Sequence, residues 1–123
     1  MQQPHITLFG IPNCDTVRKA RNWLEARDIP YTFHDFKKQG VEADHILQWC
    51  EACGIDKVLN RKGTTWRGLA PVEQEKAASL LSAIELLKEH PSLIKRPVVE
   101  WKTIRGSAIT VGFDADDWEK QLK

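Results

Sequence analysis

Cys14 is the residue of this chain best placed to do chemistry. It sits between Phe9-Gly10-Ile11-Pro12-Asn13 and Asp15-Thr16-Val17-Arg18-Lys19. The apolar run His5-Ile6-Thr7-Leu8-Phe9 reads as a strand, and Gly10 and Pro12 end it, because proline cannot donate to a ladder. The stretch that follows, through Val17, Ala20 and Leu24, has helical spacing. Cys14 therefore falls at, or within a residue of, a helix N-terminus, where free N–H groups and the positive dipole end favour an anion. A cysteine held this way has its pKa drawn from about 8.5 towards about 3.5–7.5. Arg18 lies one turn further along the same helix face and is expected to add a positive charge. The other reading of Cys14 is a small buried residue closing a turn. Strand, Gly/Pro turn, cysteine and basic helix together favour the reactive thiolate.

The other chemistry-bearing positions are less distinctive. Cys50-x-x-Cys53 has redox spacing, but Cys53 falls near the C-terminal end of its helix, where the dipole opposes a thiolate. As zinc ligands the pair would need partners, and His45 alone is near in sequence. Spaced i, i+3 beside Ile46 and Trp49, it fits an apolar stripe, and core packing is the expectation. Arg61 opens a basic, glycine-containing loop, Arg61-Lys62-Gly63-Thr64-Thr65-Trp66-Arg67-Gly68, which is either a solvated loop or an approach to an anion. Arg96 precedes Pro97 at a strand entrance, where it is either a surface arginine or a fork for a carboxylate or oxyanion. His5, His34, His45 and His90 stand in no nucleophile–base spacing and are expected to be structural.

These residues need elements to hold them. Helix one is expected over residues 15–28, ended by Asp28-Ile29-Pro30, and strand two over Tyr31–Phe36. The first 36 residues thus form a β-α-β unit with parallel strands and a right-handed crossover. Helix two follows from about Glu42 to Cys53 and stops at Gly54; Lys57 to Leu69 reads as irregular. A helix starting at Pro71 is expected to run to His90-Pro91, burying Ala77, Leu80, Leu81, Ile84 and Leu87. Val98–Thr103 and Ala108–Val111 form a hairpin turning near Arg105-Gly106. A last short helix capped by Asp114 turns Trp118 and Leu122 inward.

The composition names no special partner. At 123 residues the chain is expected to be one domain, 1–123, with a helical insertion over about 41–92. With 18 basic and 17 acidic residues, bulk charge points to neither nucleic acid nor membrane. No apolar run approaches a bilayer span, no secretory signal is visible, and three cysteines make an odd count for a disulfide framework. A cytoplasmic protein with reduced thiols is the expectation.

Three segments resemble the arsenate-reductase-related (ArsC/Spx-like) branch of the thioredoxin fold: Asn13-Cys14-Asp15-Thr16-Val17-Arg18, Leu59-Asn60-Arg61-Lys62-Gly63-Thr64, and His90-Pro91-Ser92-Leu93-Ile94-Lys95-Arg96-Pro97-Val98-Val99. The resemblance implies an α/β, thioredoxin-like β-α-β-β-β-α core with a helical insertion between strands two and three. It implies Cys14 as nucleophile, Arg61 and Arg96 as anion-stabilising catalytic residues, and a cis Pro97. A glutathione-binding set of Asn13, Arg18, Arg61, Arg96 and Pro97 follows from it, with no metal. The pattern is most similar to the YffB-type proteins, which implies a glutathione-dependent monothiol reductase, with glutaredoxin as a further partner and a small thiol, disulfide or oxyanion as substrate. Two other activities remain within the resemblance: arsenate reduction, and regulation by binding RNA polymerase as Spx proteins do. The arsenate reductases carry a His where Gly10 stands and a third Arg after the RP-[IV]-V strand, where this chain has Ser107-Ala108-Ile109-Thr110. The Spx proteins place a second Cys where Val17 stands.

Overall fold

The computed structural model describes residues 4–123. In chain order it contains β1 (His5–Gly10), α1 (Asp15–Ala26), β2 (Thr32–Asp35), α2 (Phe36–Gln39), α3 (Ala43–Cys53), α4 (Ile55–Val58) and α5 (Thr64–Arg67). Then come α6 (Pro71–Gln74), a 3₁₀ turn (Glu75–Ala78), α7 (Leu80–Glu89), a 3₁₀ turn (Pro91–Leu93), β3 (Val98–Thr103), β4 (Gly106–Val111) and α8 (Ala115–Leu122). The chain divides into two compact units, one made of the segment up to Asp35 together with Arg96–Lys123, the other Phe36–Lys95.

The first unit is a four-stranded sheet in the order β2-β1-β3-β4. β1 and β2 run parallel, as the β-α-β reading requires, while β1–β3 and β3–β4 are antiparallel. This is the thioredoxin-like α/β arrangement that the resemblance implies, with α1 as the crossover. Val17, Ala20 and Leu24 form the buried stripe of α1 and meet Ile6 and Leu8 of β1, Val99 and Trp101 of β3 and Trp118 of α8. Each fully buried valine, leucine or isoleucine among them contributes about 1.5–3 kcal/mol. Asp114 caps α8 as expected, accepting from the N–H groups of Asp116 at 3.0 Å and Asp117 at 3.2 Å. The β3–β4 turn is tighter than the sequence suggests: Thr103 pairs with Gly106, whose φ of 114° only glycine takes easily. Strand two is shorter than expected, because Phe36 leaves the sheet to begin α2.

The second unit packs α3 and α7 through Ile46, Trp49, Ala83, Ile84, Leu86 and Leu87. Its boundaries, Phe36 and Lys95, lie outside the 41–92 range of the expected insertion. The stretch after Lys57, expected to be irregular, holds the short helices α4 and α5. The single helix expected from Pro71 to His90 is instead broken at Ser79, whose φ of −127° and ψ of 153° are extended. That break resets the helical phase, so Leu80 and Leu81 face outward, Leu81 with 78 % of its surface exposed. Among the described residues no helix is long and apolar enough to cross a membrane.

Candidate active site

Cys14 is the N-cap residue of α1, with extended dihedrals of −103° and 128°. Its carbonyl accepts the Arg18 N–H at 2.9 Å and so closes the first helical turn. The side chain is half-buried and packs against the sheet–helix core. Burial by itself pushes the thiol pKa up. Three donors overcome it, the Val17 N–H, the Arg96 side chain and the Thr16 N–H, aided by the Arg96 charge, and the net pKa lies below the ordinary thiol value. A helix N-terminus supplies two of these donors for a simple reason: its first N–H groups have no carbonyl one turn back.

The sheet brings Arg96 to Cys14. β1 and β3 are antiparallel with Phe9 opposite Val98, so the segment leaving β1 and the segment entering β3 share one end of the sheet. The Arg96–Pro97 peptide bond is cis, as the resemblance implies, and the Pro97 carbonyl accepts the Gly112 N–H at 2.8 Å. Pro97 is buried and Arg96 half-buried.

The other expected site residues make contacts of their own. Arg18, expected to add its charge beside the thiolate, points its guanidinium at Asp15 instead, and the charge that acts on Cys14 is that of Arg96. The reason is proximity: Asp15 is i, i+3 from Arg18 on an exposed helix face. Asn13 is exposed in the turn before α1. Arg61 belongs to the second unit, where it pairs with Asp56 at 2.7 Å and lies 5.6 Å from the Trp66 ring centre. Its loop is tied down by the Leu59–Ile94 bridge and by the Asn60 N–H to Leu93 carbonyl bond of 2.8 Å. Arg61, Lys62 and Lys95 share with Asp56, Leu59 and Asn60 a pocket of about 120 Å³. Arg105, the arginine nearest in sequence to the missing third position, donates to the Lys120 carbonyl at the end of α8.

Cys50 is buried and Cys53 half-buried on α3. Burial raises both thiol pKa values, that of Cys50 further by the neighbouring Cys53 and that of Cys53 against the pull of Lys57. Among the described residues, Glu73, Glu89 and His90 bring possible ligand atoms within 4.8 Å of one another. The Lys76 ammonium already sits 3.2 Å from the Glu73 carboxylate there. The sequence reading located the helix end but not the particular donors, Thr16 and Val17, because backbone groups carry no residue signature.

The ArsC family profile matches residues 9–121. A solved structure named YFFB protein is 42 % identical with a TM-score of 0.85, covering 96 % of this chain and 99 % of its own. A solution structure of an arsenate reductase (ArsC) related protein from Brucella melitensis is 40 % identical with a TM-score of 0.68, covering 94 % and 92 %. The global transcriptional regulator Spx of Streptococcus pneumoniae is 32 % identical over 116 residues, 91 % of this chain and 81 % of the regulator.

Proposed function

The chain belongs to the ArsC family, and from that premise we propose that it is a monothiol oxidoreductase in which Cys14 exchanges disulfides at the expense of glutathione. The observation that carries this reading is Cys14 at the N-cap of α1, its pKa lowered by the Val17 and Thr16 N–H groups and by Arg96. Helix α1 offers no second cysteine to resolve an intermediate, so a second thiol has to come from outside. Glutathione, a small anionic thiol, suits the Arg96 guanidinium beside Cys14.

The reaction follows from thiol–disulfide exchange. The Cys14 thiolate attacks one sulfur of a disulfide, forms a mixed disulfide and releases the other sulfur as thiolate, which takes up a proton. A glutathione thiolate then attacks the Cys14 sulfur and expels the second substrate thiol. A second glutathione attacks the glutathione sulfur, freeing Cys14 and leaving oxidised glutathione. In sum, one disulfide and two glutathiones become two thiols and one glutathione disulfide. Arg96 steadies the thiolate at the start and as the leaving group at the end. The exposed Asn13 and the backbone next to the cis Arg96–Pro97 bond are the groups assigned to the tripeptide, with Arg61 added by the resemblance alone. Arg18 would have to leave Asp15 to join them. Such chemistry belongs in a compartment that keeps thiols reduced, the cytoplasm, with glutaredoxin as a further partner.

Purified protein assayed with glutathione and a mixed disulfide should turn over, and Cys14→Ser should abolish it. Two readings compete. Arsenate reduction is favoured by the arsenate-reductase-related neighbour, and regulation by binding RNA polymerase is favoured by the Spx relative. Turnover with arsenate, glutathione and glutaredoxin but with no disulfide would establish the first. Retention of RNA polymerase by Cys14→Ser, with no turnover of either substrate by wild type, would establish the second.

A further inference from the structure

Gly10 ends β1, is buried, and stands opposite Asp35 of β2 in the parallel register. Its φ is not among the positive glycine values of the chain, so its backbone conformation does not itself demand glycine. Space demands it. A Cβ at position 10 would meet Val17 Cγ2 at 2.8 Å and Cγ1 at 3.4 Å. Real side chains do not approach that closely, and Val17 has little room to yield. It is fully buried in the sheet–helix core, and a β-branched residue in a helix has one strongly preferred rotamer. In a close-packed interior the strain passes to the backbone that carries the side chain. That backbone is the first turn of α1, which Cys14 opens as N-cap with its carbonyl on the Arg18 N–H, and whose Val17 and Thr16 N–H groups lower the thiol pKa.

We propose that Gly10 is a positioning residue for the Cys14 thiolate: its missing side chain lets Val17 seat against the end of β1, and that seating holds the first turn of α1 on the Cys14 sulfur. The inference rests on Cys14 being the working thiol and adds a residue that never touches it. The charge that acts on the sulfur comes from another element. Arg96 arrives from the segment before β3, Asp15 and Arg18 pair with each other on α1, and Asp35 stands across from Gly10 on β2.

The test is the pH profile of Cys14 alkylation by iodoacetamide, read on the Cys14 peptide by mass spectrometry, in wild type, Gly10→Ala, Val17→Ala and the double variant. Gly10→Ala should raise the midpoint by about one pH unit, about tenfold less thiolate well below the midpoint. The double variant, in which the clashing methyls are gone and the N–H groups remain, should match Val17→Ala alone. A Gly10→Ala midpoint equal to wild type would overturn the proposal, as would a double variant still raised above Val17→Ala. Should Gly10→Ala not fold, the double variant decides. Folded with the Val17→Ala midpoint it supports the contact; unfolded, or raised, it defeats it. A wild type without glutathione-dependent turnover would defeat the functional reading and leave these profiles to judge Gly10 separately.

Discussion

At the scale of single residues, the site is an argument about one sulfur and one guanidinium. Arg96 both donates to Cys14 and places a full charge beside it, while two main-chain donors need no side chain at all. Removing the guanidinium should therefore raise the Cys14 pKa without erasing the lowering, because Val17 and Thr16 remain. Arg96→Ala should shift the alkylation profile upward, and an unshifted profile would remove Arg96 from the site. Arg96→Lys keeps the charge but not the planar fork, and should lose about ten- to a hundred-fold in glutathione-dependent kcat/KM. The lowered pKa also links stability to pH. In the window between the folded pKa and the unfolded thiol value of about 8.5, the unfolded chain holds the proton that the folded one has lost. The contribution of Cys14 is thus full above that unfolded value and disappears as pH falls through the folded pKa. Urea unfolding at stepped pH should show wild type gaining on Cys14→Ser as pH rises to about 8.5, then levelling. A difference flat in pH would mean that the thiolate is not held.

Elements decide which residues are available to be partners. The N-cap position of Cys14 exists because Gly10 and Pro12 end β1 and Val17, Ala20 and Leu24 then commit the chain to a helix. The helical turn that was to bring Arg18, four residues on, to Cys14 gives it instead to Asp15, three residues back, on the solvent side. In the second unit the same kind of local event has a larger effect. Ser79 interrupts the helical run, its hydroxyl lying 2.7 Å from that of Ser82, and α7 starts afresh at Leu80. Leu81 and Leu87 thereby differ in worth although both are leucines of one helix. Leu87→Ala, at a fully buried position, should cost about 2–5 kcal/mol. Leu81→Ala should stay within about 0.5 kcal/mol, since that side chain is mostly solvated. Chemical denaturation of the two variants checks this, and equal losses would restore the unbroken helix.

At the scale of the whole molecule, two compact units each carry their own core, and the first alone assembles Cys14 with Arg96. Those two residues are distant in sequence and become neighbours only when β1 pairs with β3. Reactivity should therefore depend on folding with opposite signs at different cysteines. Near pH 6, Cys14 should alkylate fast in the native protein and slow down in denaturant, as its donors and Arg96 leave it. Cys50 and Cys53, held up in pKa by burial, should speed up in the same experiment. Peptide mass spectrometry across a urea series reads all three at once. A Cys14 that stays fast when the sheet is gone would place the cause of its reactivity in the local sequence.

Much of this was open to reading along the chain because its causes are local. The parallel β-α-β start, the stripe of α1, the Asp114 cap and the place of Cys14 at the N-terminus of α1 follow from periodicity, glycine and proline positions and helix polarity. The motif around Arg96 and Pro97 was legible too, though only as a resemblance, since nothing in its spacing says what lies across from it. What the tertiary structure decided are the facts with two distant ends. They include Arg96 at the thiolate, Arg105 spent on the Lys120 carbonyl, and the shortfall of space between Gly10 and Val17. The break at Ser79 belongs with them in effect, because a leucine-rich run reads as one helix until packing shows which leucines are turned away. Periodicity records which face a residue shares with its sequence neighbours. Distance, donor geometry and free volume exist only once strands have paired and helices have been laid on them.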